Sequence, residues 1–285
     1  MSRPLQRQTT LGVLATIRNI ITMKCIICES AMGFYFTKHF SVCDLNQVDY
    51  WRCSKCGFCA SNTHFDMTSK EWEKLNDVFH TESHFTEGNP YNRNQRYFNQ
   101  SLMLYLMAKQ DLIKQGNWVD WGCGIGAVAL LLNNYFNIDL STYDKYFCSQ
   151  VNSISIEKMK SRSFDLVVNT AVFEHVRDRD TLDEIESYVS ESGCLAIHTL
   201  VPETIPKDPE WMYLLPVHCA FHTNKSMQIL MNEWGYNCSV YNDTSKMWVL
   251  FKERTKDIQS GVEKLNQALG WEYLHFKEGF MDYWK

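Results

Sequence analysis

Apolar residues fall along this chain in two kinds of pattern, spaced at three and four or packed into short dense runs. Trp72, Leu75 and Phe79 keep helical spacing behind Thr68 and Ser69, either of which can cap, so a helix is predicted over 68–79. Gly88-Asn89-Pro90 then breaks the chain. A second helix is predicted over 96–113, with Tyr97, Leu102, Leu104, Tyr105, Leu106 and Ile113 as its apolar positions. From Trp118 onward, short strands and helices alternate. Strands are predicted over 118–121, 138–143, 164–169 and 193–200, and helices over 127–135, 182–188 and 225–234, the last closed by Gly235. Strands over 236–241 and 246–251 flank Asn242-Asp243-Thr244-Ser245, a hairpin composition. Alternating strand and helix implies an α/β fold, a parallel sheet with helices on both faces, to which the hairpin adds an antiparallel edge.

Composition narrows the class. The 285 residues are 45% hydrophobic and 21% charged, enough to bury a sizeable core and unlike a disordered or collagen-like chain. No apolar run reaches the roughly 18 residues of a membrane span. The net charge of −5 argues against a nucleic-acid partner, which calls for a basic excess. Residues 1–22 carry Arg3, Arg7 and Arg18 with no acid, and read either as an over-long start ahead of Met23 or as an organelle transit segment. Eleven cysteines, several in C-x-x-C pairs, indicate metal binding in a reducing compartment, so a cytoplasmic location is expected.

Cys25-x-x-Cys28 and Cys53-x-x-Cys56-Gly57, with 24 residues between the pairs, have the spacing of two knuckles around one tetrahedral zinc ion. Four thiolates close the coordination shell, which makes the ion structural. The register leaves Cys43, Cys59, His39 and His64 as alternative ligands, and Cys43 and Cys59 also read as ordinary buried thiols. A redox role for the pairs is the competing reading, without the strand–helix context that such motifs have.

Val119-Asp120-Trp121-Gly122-Cys123-Gly124-Ile125-Gly126 follows a predicted strand and opens a helix. Glycines there allow a sharp turn and let a ligand approach backbone N–H groups at a helix N-terminus. A bare strand–helix turn is the alternative. The next strand ends at Asp144, where a carboxylate can take ribose hydroxyls. Together with Phe164-Asp165-Leu166-Val167-Val168-Asn169, the run Ala171-Val172-Phe173-Glu174-His175-Val176, and Ser192-Gly193-Cys194-Leu195, these motifs resemble the class I S-adenosylmethionine-dependent methyltransferases over about 90–255. The resemblance implies a Rossmann-like, seven-stranded methyltransferase sheet, parallel with a C-terminal antiparallel hairpin, plus a small N-terminal zinc-ribbon-like segment. It assigns Asp120, Gly122, Cys123, Gly124 and Gly126 to the cofactor loop, Asp144 to the ribose and Asn169 to the carboxyl edge of the sheet. Only about twenty residues separate Asp144 from Phe164, so the third strand is compressed and Ser153–Ile156 is the expected remnant of the adenine pocket.

The implied organisation is an extension over 1–22, a zinc-binding segment over 23–66, a helical cover over 67–115, a core over 116–256 with a lid over 201–223, and a helix and tail over 257–285. The arrangement is similar to bacterial small-molecule methyltransferases with an N-terminal zinc segment, in which that segment would wall the acceptor pocket. In such enzymes a Pro-x-His stretch lies near the acceptor. Histidine titrates near neutrality and suits removal of an acceptor proton, so His218, then His222, then His198 are the candidate bases. Each reads equally as a hydrogen-bonded structural histidine, and Glu174 and His175 as a packing pair at a helix start. His80, His84, Arg93 and Arg96 precede the core, and Arg93 or Tyr97 is a candidate cofactor contact. The expected activity is methyl transfer from S-adenosylmethionine to a small-molecule acceptor at oxygen, nitrogen or carbon, by a monomer or homodimer. An RNA methyltransferase using the zinc segment for grip, and a non-catalytic scaffold, are the competing classes. The first lacks a basic patch, since 25–59 holds only Lys38, Arg52 and Lys55 against Glu29, Asp44 and Asp49.

Overall fold

Strands buried on both sides read as near-continuous apolar runs, and the chain folds those runs into the middle of a layered structure. The computed structural model describes residues 23–83, 90–147, 151–252 and 255–282. The extension 1–22, the Gly88-Asn89 turn, His84 and the Arg93 side chain lie outside what it describes. In chain order the elements are β1 (Met32–Phe40), β2 (Asn46–Cys53), β3 (Cys59–Ser61), α1 (Asn62–Phe65), α2 (Ser69–Ser83), α3 (Pro90–Lys109), β4 (Trp118–Trp121), α4 (Ala127–Phe136), β5 (Ser141–Tyr143) and α5 (Ile156–Lys160). They continue with β6 (Phe164–Thr170), α6 (Arg179–Ser187), β7 (Val189–His198), β8 (Ala220–Phe221), α7 (Asn224–Glu233), β9 (Cys238–Asn242), β10 (Met247–Phe251), α8 (Thr255–Leu269) and β11 (His275–Glu278). A single 3₁₀ turn, Phe173–His175, follows β6.

The main sheet has seven strands in the order β11-β9-β10-β7-β6-β4-β5. Strands β5, β4, β6 and β7 run parallel, and β10, β9 and β11 join antiparallel. Alternate residues face opposite cores. Leu166, Val168, Ala196, Val240 and Val249 pack with Leu104, Met107, Val128, Leu132 and Val262 on one side. Their neighbours Val167, Leu195, Ile197, Tyr241 and Leu250 pack with Leu182, Ile185, Met227 and Leu230 on the other.

Two details differ from the sequence reading. The 238–251 hairpin is not an edge: β10 pairs with β7, and the aromatic tail supplies β11, which covers β9. The third strand is reduced further than expected, to the single parallel bridge Thr142–Ser153 beside β5. Helix ends follow their caps. The Asp178 side chain accepts from Thr181 N, starting α6 ahead of Leu182, and Thr223 and Ser226 form a capping box at α7. Gly235 follows α7 at φ +77°, the left-handed stop expected of it.

The cysteine-rich segment folds as a second sheet of four strands, β1-β2-β3-β8. Its last strand comes from the 201–223 stretch, with Cys59 opposite Phe221 and Ala60 opposite Ala220. That stretch is tied to it again by Ser61 N donating to Cys219 O at 2.9 Å, and by the His64 ring meeting Pro216 O at 2.8 Å. Tyr50, Phe58 and Phe221 of this sheet join the same hydrophobic core as α6 and α7.

Candidate active site

Four parallel strands end at one edge of the main sheet, and the loop after β4 is the tightest feature there. Gly122, Gly124 and Gly126 hold φ of +74°, +52° and +75°, values that L side chains seldom adopt. Gly122 N and Cys123 N both donate to Tyr143 O, at 2.8 and 3.2 Å, binding the loop to the end of β5. Asp144 reinforces the join. Its Oδ2 accepts from Gly124 N at 2.9 Å, and its Oδ1 accepts from Tyr146 N and Phe147 N at 2.8 and 3.0 Å. Beside it lies a cleft of about 570 Å³, lined by Tyr143–Phe147 on one side and Ser153–Ile156 on the other. The residues expected to remain of the adenine pocket thus share one cleft with Asp144.

Polar atoms without partners gather at the same edge. Asp120 is 1% exposed and its Oδ1 has no hydrogen-bond partner. Burial, with Asp144 as a second cause, pushes the Asp120 carboxyl up to about 7. Asn169 donates from Nδ2 to Trp121 O at 3.0 Å and leaves Oδ1 unpartnered, and Trp121 Nε1 is unpartnered as well. Buried polar groups are rarely left so, and these stand at strand ends beside a glycine turn, Asp120 on one face of the sheet and Trp121 with Asn169 on the other, where a polar ligand would satisfy them. Cys123, half-buried, has its thiol pushed up to about 12 by burial, which makes it a neutral lining group here.

A second convergence follows β6. Ligand atoms of Glu174, His175 and His218 lie within 4.8 Å of one another. Tyr213 donates from its hydroxyl to Glu174 Oε1 at 2.6 Å, while Glu174 Oε2 is buried without a partner. The His218 ring meets Tyr213 O through Nδ1 at 2.8 Å, and the His175 ring meets the His218 ring edge to face, 5.0 Å between centroids. Burial holds His175 well below the usual histidine range, so it is neutral near pH 7.

Of the three candidate bases, this site includes His218 only. His222 is 1% exposed, its ring lies 5.1 Å from Phe58 and 5.6 Å from Phe173, and burial pushes it down to about 3. It is a core side chain packed in the apolar layer of Phe58 and Phe173. His198 ends β7, but its Nδ1 is committed to Lys246 O at 2.6 Å, and burial with the Arg96 charge lowers it to about 4. Glu174, His175 and Tyr213 are the residues that sequence reasoning left out of the site. The signal was the adjacent Glu-His after β6, which the packing-pair reading explained equally well.

In the cysteine-rich sheet, the thiols of Cys25, Cys28, Cys53 and Cys56 lie within 4.8 Å of one another, with Cys25–Cys56 and Cys28–Cys53 at 3.5 Å. That spacing suits the edges of a tetrahedron of thiolates around zinc, about 3.8 Å for bonds of about 2.3 Å. Cys25 is pulled down to about 6 by its contact with Cys56, whose own thiol is pushed up. The alternatives lie elsewhere. Cys59 is buried in β3, His64 is held between Ser61 and Pro216, and Cys43 and His39 are not in the cluster.

Four parallel strands extended by three that pair antiparallel, a glycine loop at the first of the parallel strands and an acid at the end of the next define a class I S-adenosylmethionine-dependent methyltransferase. The family model described as "Methyltransferase domain" matches residues 91–239, more than half of the chain, and the protein belongs to that family. None of the curated proteins matches it. Among solved structures, it is similar to the plantazolicin methyltransferase BpumL in complex with a pentazolic desmethylPZN analog and SAH. The identity there is 12% and the TM-score 0.44, over 65% of this chain and 94% of that one. A possible histamine N-methyltransferase from Thermotoga maritima is 16% identical with a TM-score of 0.38, over 61% and 100%. Magnesium protoporphyrin IX methyltransferase from Synechocystis PCC 6803, with bound SAH, is 13% identical with a TM-score of 0.41, over 62% and 96%. Among the described residues, no helix is long and apolar enough to cross a membrane.

Proposed function

We propose that the protein moves the methyl group of S-adenosylmethionine to a small organic acceptor, with the acceptor bound between the glycine loop and the Glu174–His175–His218 cluster. The observation that carries this reading is the set of unpartnered buried atoms of Asp120, Trp121 and Asn169 around a left-handed glycine turn. When bound, S-adenosylmethionine supplies a methyl carbon activated by a sulfonium. Asp120 and the close approach that the glycines allow receive its methionyl part, Asp144 receives ribose hydroxyls, and the 153–156 side of the cleft covers the adenine. The protein's work is then mainly positioning. For a hydroxyl or amine acceptor, His218 takes the proton: Nδ1 donates to Tyr213 O, so Nε2 carries the ring's lone pair. Zinc at Cys25, Cys28, Cys53 and Cys56 is structural in this reading, and the segment it stabilises forms a wall beside the acceptor.

Calorimetric titration with S-adenosylhomocysteine tests the proposal. Binding at micromolar concentration, about 8 kcal/mol, is the expected result. Its absence in folded, zinc-loaded protein would overturn the assignment. With the cofactor established, acceptors are screened against wild type and His218→Ala.

A further inference from the structure

Glu174 carries a buried carboxylate with one oxygen held and the other without a partner. Such a group needs positive charge or donors close by. Two imidazoles face it. One of them, His218, has Nδ1 bonded to a backbone carbonyl, Tyr213 O at 2.8 Å, and the His175 ring meets the His218 ring edge to face at 5.0 Å between centroids. Histidines that bind metal are usually oriented as His218 is, with one N–H fixed by a carbonyl so that the other nitrogen presents its lone pair to the ion. The carboxylate has a supporting partner too, the Tyr213 hydroxyl.

We propose that Glu174, His175 and His218 bind a divalent transition-metal cation at the acceptor end of the active site. Two imidazoles and one carboxylate suit ions such as manganese, iron or zinc, and three protein ligands leave coordination positions open for an acceptor oxygen. His175 is the half-buried member of the three, and the others are buried. The inference rests on the methyltransferase reading and narrows its substrate class to acceptors bearing an ionisable hydroxyl. On the cation, the acceptor O–H is acidified and its proton passes to water. The oxygen pair then forms the new C–O bond as the C–S bond breaks, and S-adenosylhomocysteine leaves neutral. His218 is a ligand in the loaded enzyme and a proton acceptor only in the metal-free form, so the two roles exclude each other.

Manganese is the probe, because a four-thiolate site selects softer ions. Zinc-loaded protein is titrated with Mn²⁺, and uptake is read from loss of the free-ion electron paramagnetic resonance signal. S-adenosylhomocysteine binding is measured on every variant as the check of folding. The expected result is uptake of about one ion per chain, abolished by Glu174→Gln and by His175→Gln, each with cofactor binding retained. Tyr213→Phe, which removes the supporting bond to Glu174 together with longer contacts to Leu200 N and Thr199 Oγ1, should weaken uptake by about ten- to a hundredfold. No uptake by wild type, or uptake unchanged in the Glu174 and His175 variants, would overturn the metal site and leave the methyltransferase reading standing. Failure of wild type to bind S-adenosylhomocysteine would overturn the reading on which the site rests.

Discussion

Replacing Gly124 with alanine separates a loop that holds a cofactor from one that merely turns. Gly124 sits at φ +52° with nothing within 4 Å of where a Cβ would stand, so the new methyl meets no protein atom. The folded state bears only the left-handed strain, about 1–2 kcal/mol. A cofactor seated on the loop meets that methyl directly, and forcing it into a close contact costs about 1–3 kcal/mol. The expected affinity loss for S-adenosylhomocysteine is therefore about 5- to 150-fold. Gly122→Ala is the contrasting variant. Its Cβ would stand 2.6 Å from Val172 Cγ2 at φ +74°, so overpacking adds to strain inside the protein itself. It should lower the melting temperature more than Gly124→Ala does, and adding Val172→Ala should restore part of the loss. Thermal unfolding and calorimetry on the four proteins settle the matter. A folded Gly124→Ala with wild-type affinity would refute a cofactor on this loop.

Three further outcomes follow from the charges and thiols. The Asp120 carboxyl stands at about 7 in the fold against an ordinary 3.8, so the folded state binds its proton more tightly and stability falls as the pH rises through that interval. Asp120→Asn should remove this contribution, and equal pH slopes of the urea midpoint in both proteins would refute it. His222 stands at about 3 against 6.5, the opposite sense: its contribution is present above pH 6.5 and is lost as the pH falls toward 3. His222→Phe should therefore lose less stability between pH 7 and pH 5 while binding S-adenosylhomocysteine as wild type does, and loss of that binding would return His222 to the site. Chelation that removes zinc should lower the melting temperature, as should Cys53→Ser, with metal content read by mass spectrometry, since binding energy at such a site is folding energy. An unchanged melting curve in metal-free protein would count against a structural ion.

The central strands and the glycine loop were legible because burial on both sides writes long apolar runs, and because left-handed turns call for glycine. Helix starts were blurred where polar caps precede the first apolar residue, as Asp178 does for α6. The two residues of β8 were illegible, being too short for any periodicity and paired with a strand some 160 residues away. The tail strand β11 hid among aromatics that fit a loop equally well. At the candidate site, the left-handed turn at Gly122 and Gly124 and the position of Asp144 at the end of the next strand were legible from local motif alone. His218 and His222 could not be told apart, because only tertiary packing puts one beside a carboxylate and the other between two phenylalanines.

The strand β8, lent to the cysteine-rich sheet by the stretch after β7, has a consequence for anyone who would dissect the molecule. Thr223, which caps α7, also donates from its hydroxyl to Cys56 O at 2.6 Å, and Cys219 N donates to Glu174 O at 2.8 Å. A continuous chain of bonds thus runs from the cysteine knuckle through residues 219–223 to Glu174. Cutting the gene after residue 66 would not release a smaller working enzyme. It would strip β8 of its neighbour, bare the apolar faces of Phe221 and Phe173, and free the stretch that carries His218. The methyltransferase half is not a portable cassette, and transplanting it means carrying the knuckle with it.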